Sequence, residues 1–319
     1  MTRAKTTAQR TARARTAARR PRRRKRTVHL VALNVAVDPH PPGIYEQLLT
    51  QASNRAPAVN IASDRMAELA EVHTYGEEAL AGQIWTYTRI DQNKPVVDLE
   101  TRKLLAKSEL DTLLSSGFNH RGFNYKAFWF GFDLRRHILT YERRHMSPRR
   151  LAGVLETIFN AVKRSLGIDA VSVNVVQSPA QLERVLALQL HRLEIRISRP
   201  NPDDLAGFRE AFRKRLAAQH AKSTTMVLDA AGAQGLKLDR DTQRLARLAV
   251  ANGHVKGHGL DEDAHEIVTR TTADSPLAIA RVFDPRDDAA ASFFARNARA
   301  LSDEVLRALP ELDNHVDDE

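Results

Sequence analysis

The sequence predicts an α+β protein of two lobes, with mixed, largely antiparallel sheets covered by helices and a disordered basic arm at the N-terminus. Three observations point there. β-rich runs alternate with amphipathic helical stretches through the middle of the chain, β-rich runs follow one another directly near 253–283, and residues 1–26 hold no large apolar side chain after Met1. With 319 residues, 42% of them hydrophobic and 28% charged, the chain can bury one large core or two ordinary ones.

Taken in order, residues 28–37 (VHLVALNVAV) read as a strand that stops at Asp38-Pro39-His40-Pro41-Pro42-Gly43, because proline cannot donate to a ladder. Residues 44–53 read as a short helix with Ile44, Leu48 and Leu49 on one face. The following stretch is weakly patterned; 82–90 then reads as a strand, 102–115 as a helix and 125–142 as a hairpin turning at 133–136. These elements form a first lobe, 27–145. The second lobe, 146–309, opens with Ser147-Pro148, a capping residue and a proline in the first helical turn, and its helix ends at Gly167. Strand 169–176, helix 179–188, strand 191–198, helix 203–221, strand 224–229 and helix 239–252 follow. Strands at 253–260, 265–271 and 277–283 and a helix at 287–308 complete it, and the acidic tail 310–319 frays.

Composition narrows the functional classes. There is no cysteine, which excludes disulfides, thiolate zinc sites and cysteine nucleophiles. No apolar run approaches the ~20 residues of a membrane helix, and the N-terminus lacks a secretory apolar centre, so the expectation is a cytoplasmic protein with no membrane partner. The net charge is +10, yet 12 of the 49 Lys and Arg lie in residues 1–26 with no acid among them, leaving 37 basic against 39 acidic residues in the body. The positive excess therefore resides in the arm, which ends in Arg19, Arg20, Arg22, Arg23, Arg24, Lys25 and Arg26. Arginines brought to phosphates release condensed counterions without reading sequence, so the arm is expected to hold nucleic acid. An upstream start, a solubilising tail or an organellar transit segment would share this composition.

Within the body, Leu193, Ile195 and Ile197 alternate with Arg192, Glu194, Arg196 and Ser198, so a strand would bury the first set and display the second. Arg192 and Arg196, with Arg199 beyond, could clamp phosphates, or pair with Glu194 on a solvated face. Asp203 and Asp204 after two prolines superficially resemble nuclease carboxylates, but a helix cap explains Asp203 better. His254, His258 and His265 near Asp261, Glu262, Asp263 and Glu266 have no metal-site spacing, and a polar loop between strands explains the acids. HExxH, GxSxG, GxxxxGK[ST] and GxGxxG are absent, so no catalytic residue, cofactor or metal is assigned. Phe128, Trp129, Phe130, Phe132 and Tyr141 point to both faces of the hairpin and supply core first and stacking platforms second. Around them, Arg135, Arg136, Arg143, Arg144, Arg149 and Arg150 form the body's best candidate patch.

VALNVAVDPHPPGIYEQLL, SPRRL and LHRLEIRISRPNPDD followed by a long charged helix resemble, across most of 28–285, a bacterial and phage family known as domain of unknown function number 4747. The resemblance transfers no catalytic residue and implies an accessory of phage defence or of a mobile element. A dimer that binds DNA without sequence preference suits the composition. The expected function is therefore sequence-nonspecific nucleic-acid binding, DNA first; the alternatives are a metal-dependent nuclease or other anti-phage effector, and a protein-interaction adaptor.

Overall fold

A near-continuous apolar run such as 28–37 is stable as a strand only where both of its faces are covered. In the computed structural model, which describes residues 24–89, 96–98, 101–115, 122–200, 207–261, 263 and 265–308, that run is the axis of the fold. Strand β1 (Arg26–Asp38) is followed by α1 (Ile44–Arg55), β2 (Val59–Ala62), β3 (Arg65–Tyr75), β4 (Ala79–Arg89), β5 (Val97–Asp98), β6 (Lys103–Leu104) and α2 (Lys107–Ser115). Next come β7 (Gly122–Asp133), β8 (Ile138–Glu142), α3 (Pro148–Val162), β9 (Ala170–Val175), α4 (Pro179–Leu186) and β10 (Gln189–Ser198). The chain continues through α5 (Gly207–Ala218), β11 (Ser223–Asp229), α6 (Arg240–Asn252), β12 (Gly253–Asp261), β13 (Glu266–Thr271), β14 (Ala278–Phe283) and α7 (Ala290–Ala308).

Every pairing between these strands is antiparallel, in agreement with the α+β class. Eight strands make the main sheet in the order β14-β1-β8-β7-β4-β3-β2, with β9 also on β1. β1 is long enough to hold β14 along Arg26–Val31 and β9 along Leu33–Asp38, while β8 takes its other side. Its odd-numbered residues Val31, Leu33, Val35 and Val37 pack with Leu48 of α1, Leu155 and Phe159 of α3, and Phe130 and Phe132 of β7. Its even-numbered Val28, Leu30 and Ala32 meet Phe293, Phe294 and Leu301 of α7. Helices thus cover both faces of this sheet. Gly131 of β7 is where α7 comes closest: a Cβ there would lie 2.0 Å from the Phe294 carbonyl oxygen.

The second sheet, β11-β10-β12-β13, is covered on one face only. Leu193, Ile195 and Ile197 of β10 and Val255 of β12 are buried against Leu182 and Val185 of α4 and Ala246, Ala249 and Val250 of α6. Glycines 257 and 259 of β12 make room for this layer, since a Cβ at Gly257 would meet Leu190 and Val185. The opposite face carries Arg192, Glu194, Arg196 and Ser198, which is the alternation read from the sequence. Buried amides join the main sheet to α6: Asn34 of β1 donates through Nδ2 to Asn252 Oδ1 at 3.0 Å and to the Ala251 carbonyl at 3.3 Å.

Several expectations change. The main core contains residues from both sides of position 145, where the sequence places the lobe boundary: α3, β9, β14 and α7 all pack on the main sheet. The second sheet instead spans 189–271. β14 does not pair with β12 or β13 but crosses to β1. The weakly patterned stretch after α1 is β2 and β3, and the predicted helix 102–115 is α2 preceded by the short pair β5–β6. Ser147 and Asp239 sit at helix N-caps; Asp239 accepts from the Thr242 N–H at 2.7 Å, whereas the Ser147 side chain makes no cap bond. Gly167 closes the turn after α3 in a left-handed conformation, φ 67°.

Candidate functional site

The open face of the second sheet is set by the period of a strand. In β10, Arg192, Glu194, Arg196 and Ser198 share a side; in β12, the register places His258, Lys256 and His254 beside Arg192, Glu194 and Arg196. On the other flank, β11 sets Asp229, Val227, Thr225 and Ser223 beside the same four residues. Arg192 is taken by Asp229 at 3.0 Å. Arg196 has no ion-pair partner among the described residues.

The end of this face that carries Arg196 turns toward α3 and β9, and the two walls enclose a groove of about 370 Å³. β9 pairs with β1 alone among the described strands, and its Ser172–Val175 segment lines the groove. Arg149 and Glu156 project from α3 into the other wall, while Arg196, Ser198, Lys222, Ser223 and His254 come from the second sheet and its approach. Lys222 forms an ion pair with Glu156 across the gap, and Ser198 Oγ donates to Asn174 Oδ1 at 3.2 Å. Arg149 reaches Asp274 at 2.9 Å, with both side chains largely exposed. Three cations therefore stand against one carboxylate within the groove, on a body whose overall charge is slightly negative. Burial, and then the charge of Arg196, push the His254 pKa below its ordinary value of 6.5, with Arg149 and Lys256 acting in the same direction and Glu194 against. Two buried amide atoms of lining residues, Asn174 Nδ2 and Gln177 Oε1, have no hydrogen-bond partner among the described residues.

A second cationic group lies where the described chain begins. Arg26 is the first residue of β1 and not part of a free arm: its guanidinium meets Glu142, the last residue of β8. Glu142 also receives Arg144 Nε at 2.7 Å and His145 at 3.3 Å, and its side chain is 4% exposed. Burial raises the Glu142 pKa, but the hydrogen bonds from His145 and Arg26 and the charges of Arg26 and Arg144 outweigh it and hold the carboxyl at about 2. The Arg143 N–H donates to the His29 carbonyl at 2.9 Å, so the 143–150 segment leaves the sheet next to the start of β1. Arg24, Lys25, Arg143 and Arg150 are exposed and without ion-pair partners among the described residues.

The predicted arginines thus separate into free and engaged. Arg196, Arg143 and Arg150 are free, and Arg149 is held only by an exposed pair. Arg199 is turned inward to Asp38, which also takes Arg213 at 3.1 Å, and so leaves the phosphate-clamp row expected of it. Arg135 pairs with Glu78 at 3.3 Å, a residue shared with Arg299. Arg136 is half-buried beside it at the far end of the hairpin. Arg19, Arg20, Arg22, Arg23, Asp203, Asp204 and Glu262 lie outside the described residues.

Phe128, Phe130, Phe132 and Tyr141 are core, each at most 3% exposed, so none of these four offers a stacking surface, and Trp129, half-buried, packs under α7. His254 and His258 stand among cations, Asp261 is paired to Arg270, and among the described residues no three His, Asp or Glu gather as a metal site. Asn174, Gln177, Lys222, Ser223 and Glu156 were missed by sequence reasoning. Each is an ordinary surface-type residue in its own element, and only the packing of β9 and α3 against β10–β12 brings them together.

Residues 26–299 match a family described as Domain of unknown function (DUF4747). The matched span holds both sheets and the groove and leaves residues 1–25 outside. No curated protein matches the chain.

Proposed function

The chain belongs to the DUF4747 family, whose description carries no activity, and from its own surface we propose that it is a sequence-nonspecific nucleic-acid-binding protein, with DNA as the first partner to test. The observation that carries the reading is the meeting of Arg149 and Arg196, drawn from two arginine clusters 47 positions apart by their numbering, in one groove. Arg150 and Arg143 are also exposed, on the segment that follows β8 and bonds to β1 at His29, the strand through which the Arg-rich N-terminal segment joins the body. Point charges on phosphates give affinity without base reading, and Phe128, Phe130, Phe132 and Tyr141 of the hairpin are in the core.

In this proposal the N-terminal segment supplies long-range attraction, and the body fixes where the backbone lies. An accessory role in phage defence or on a mobile element rests on the family resemblance, and assembly as a homodimer on analogy with dimers that bind DNA without sequence preference; both belong to the same proposal. No specific observation favours the nuclease or adaptor alternatives. Electrophoretic mobility shift of duplex and single-stranded DNA across salt tests the reading: a shift at about 50 mM salt that weakens steeply toward 200 mM is expected. No shift of either DNA by the full-length chain at the lower salt would overturn it.

A further inference from the structure

We propose that the groove between α3–β9 and β10–β12 is a pocket for a phosphate monoester: the phosphate of a nucleotide, free or at the end of a strand. This goes beyond contact with a continuous backbone, and rests on the nucleic-acid reading only for the strand end as the source of the ligand. Size is the first argument. At about 370 Å³ the groove falls within the ~300–1,000 Å³ typical of small-molecule pockets and is large enough for a nucleotide.

Charge is the second. Arg149, Arg196 and Lys222 face Glu156 alone within the lining, and Glu156 is occupied by Lys222. Arg196 is unpaired among the described residues, and the Arg149–Asp274 pair is exposed on both sides, so both guanidiniums are available for bidentate contact with phosphate oxygens. Finally, the Lys222–Glu156 and Ser198–Asn174 links tie the two walls together, so the groove is formed before a ligand arrives.

Titration calorimetry on the full-length chain at about 150 mM salt, which screens the N-terminal charges over roughly 8 Å, tests the proposal. The probes are adenosine 5′-monophosphate, adenosine, succinate, and one single-stranded oligonucleotide with and without a 5′-phosphate. The monophosphate is expected to bind at least about tenfold more tightly than adenosine or succinate, as charge-assisted bonds to phosphate imply. Arg196→Ala should weaken it by about tenfold, while Lys256→Ala, exposed on the same sheet face but outside the groove, should leave it unchanged. A thermal melt verifies that each variant folds, and Arg149→Ala reads the same pocket if Arg196→Ala does not. Tighter binding of the phosphorylated oligonucleotide than of its hydroxyl twin assigns the strand end, and equal binding assigns the free nucleotide. Monophosphate binding no tighter than that of adenosine or succinate, or equal affinities of the Arg196→Ala and Lys256→Ala variants, would overturn the pocket. The mobility shift of an unphosphorylated duplex is independent of that outcome, so failure of the pocket and failure of the nucleic-acid reading are distinguishable.

Discussion

The two sheets of this protein use the same alternation of side chains to opposite ends. In the main sheet both faces are covered, so β1 from Leu30 to Val37 is buried at every position. In the second sheet one face is covered, and the other keeps Arg192, Arg196, Lys256 and His258 in contact with water. A strand buried on both faces can contribute only stability, whereas a strand buried on one can carry charge at no cost to its core. The body is slightly acidic overall, and its usable cations are those that the one-sided sheet, α3 and the start of β1 leave free.

The largest test of that contrast is deletion of core volume. Phe130→Ala, in the main sheet, should lose about 3–5 kcal/mol in urea unfolding. Lys256→Ala, on the open face, should stay within about 0.5 kcal/mol, and similar losses for both would break the comparison. Next come the glycines. Gly131→Ala drives a Cβ against the backbone of α7 and should cost about 3 kcal/mol, the upper end of overpacking. Gly257→Ala meets the ends of Leu190 and Val185, which can shift, and should cost nearer to about 1 kcal/mol.

Acid should also act on the main sheet. Burial, followed by the charge of His40, lowers the His137 pKa from 6.5 to about 3, although a hydrogen bond to the Leu134 backbone carbonyl opposes the shift. The unfolded chain therefore binds a proton at this site that the folded chain refuses, and stability falls as pH drops from 6.5 to about 3. Glu142 adds a second loss between 4.5 and about 2, because the folded state holds it ionised for Arg26, Arg144 and His145. Glu142→Gln should flatten that lower segment of the pH–stability curve and leave the His137 segment in place. The smallest effects belong to the groove: Arg149→Ala and Arg196→Ala should each lower the salt slope of duplex binding by at most about 0.9, with little change in thermal stability.

Much of the fold was legible because its signals are local. The alternation of 191–198, the prolines after Asp38, the Ser147-Pro148 start of α3 and the left-handed Gly167 all appear where the sequence places them. What the sequence hid was long-range. β3 escaped because, of its 11 residues, Ala67 and Leu69 alone are fully buried, too weak a period to read. The return of β14 and α7 to the main sheet has no local signature, since pairing of Arg26–Val31 with residues 278–283 is decided by packing. For the site, Arg149 and Arg196 were legible as members of arginine clusters, but their meeting was not. Equally, nothing in the sequence said that Arg199 would turn inward to Asp38 or that Arg26 and Arg144 would converge on Glu142.

Removing residues 1–23 and measuring duplex binding against salt tests whether the body itself holds nucleic acid on a surface the Arg-rich segment only assists. Affinity and salt slope should fall together, weak binding should persist at low salt, and adding Arg149→Ala and Arg196→Ala should remove this remainder. Binding abolished by the truncation alone, or a remainder indifferent to the two arginines, would contradict binding by that surface.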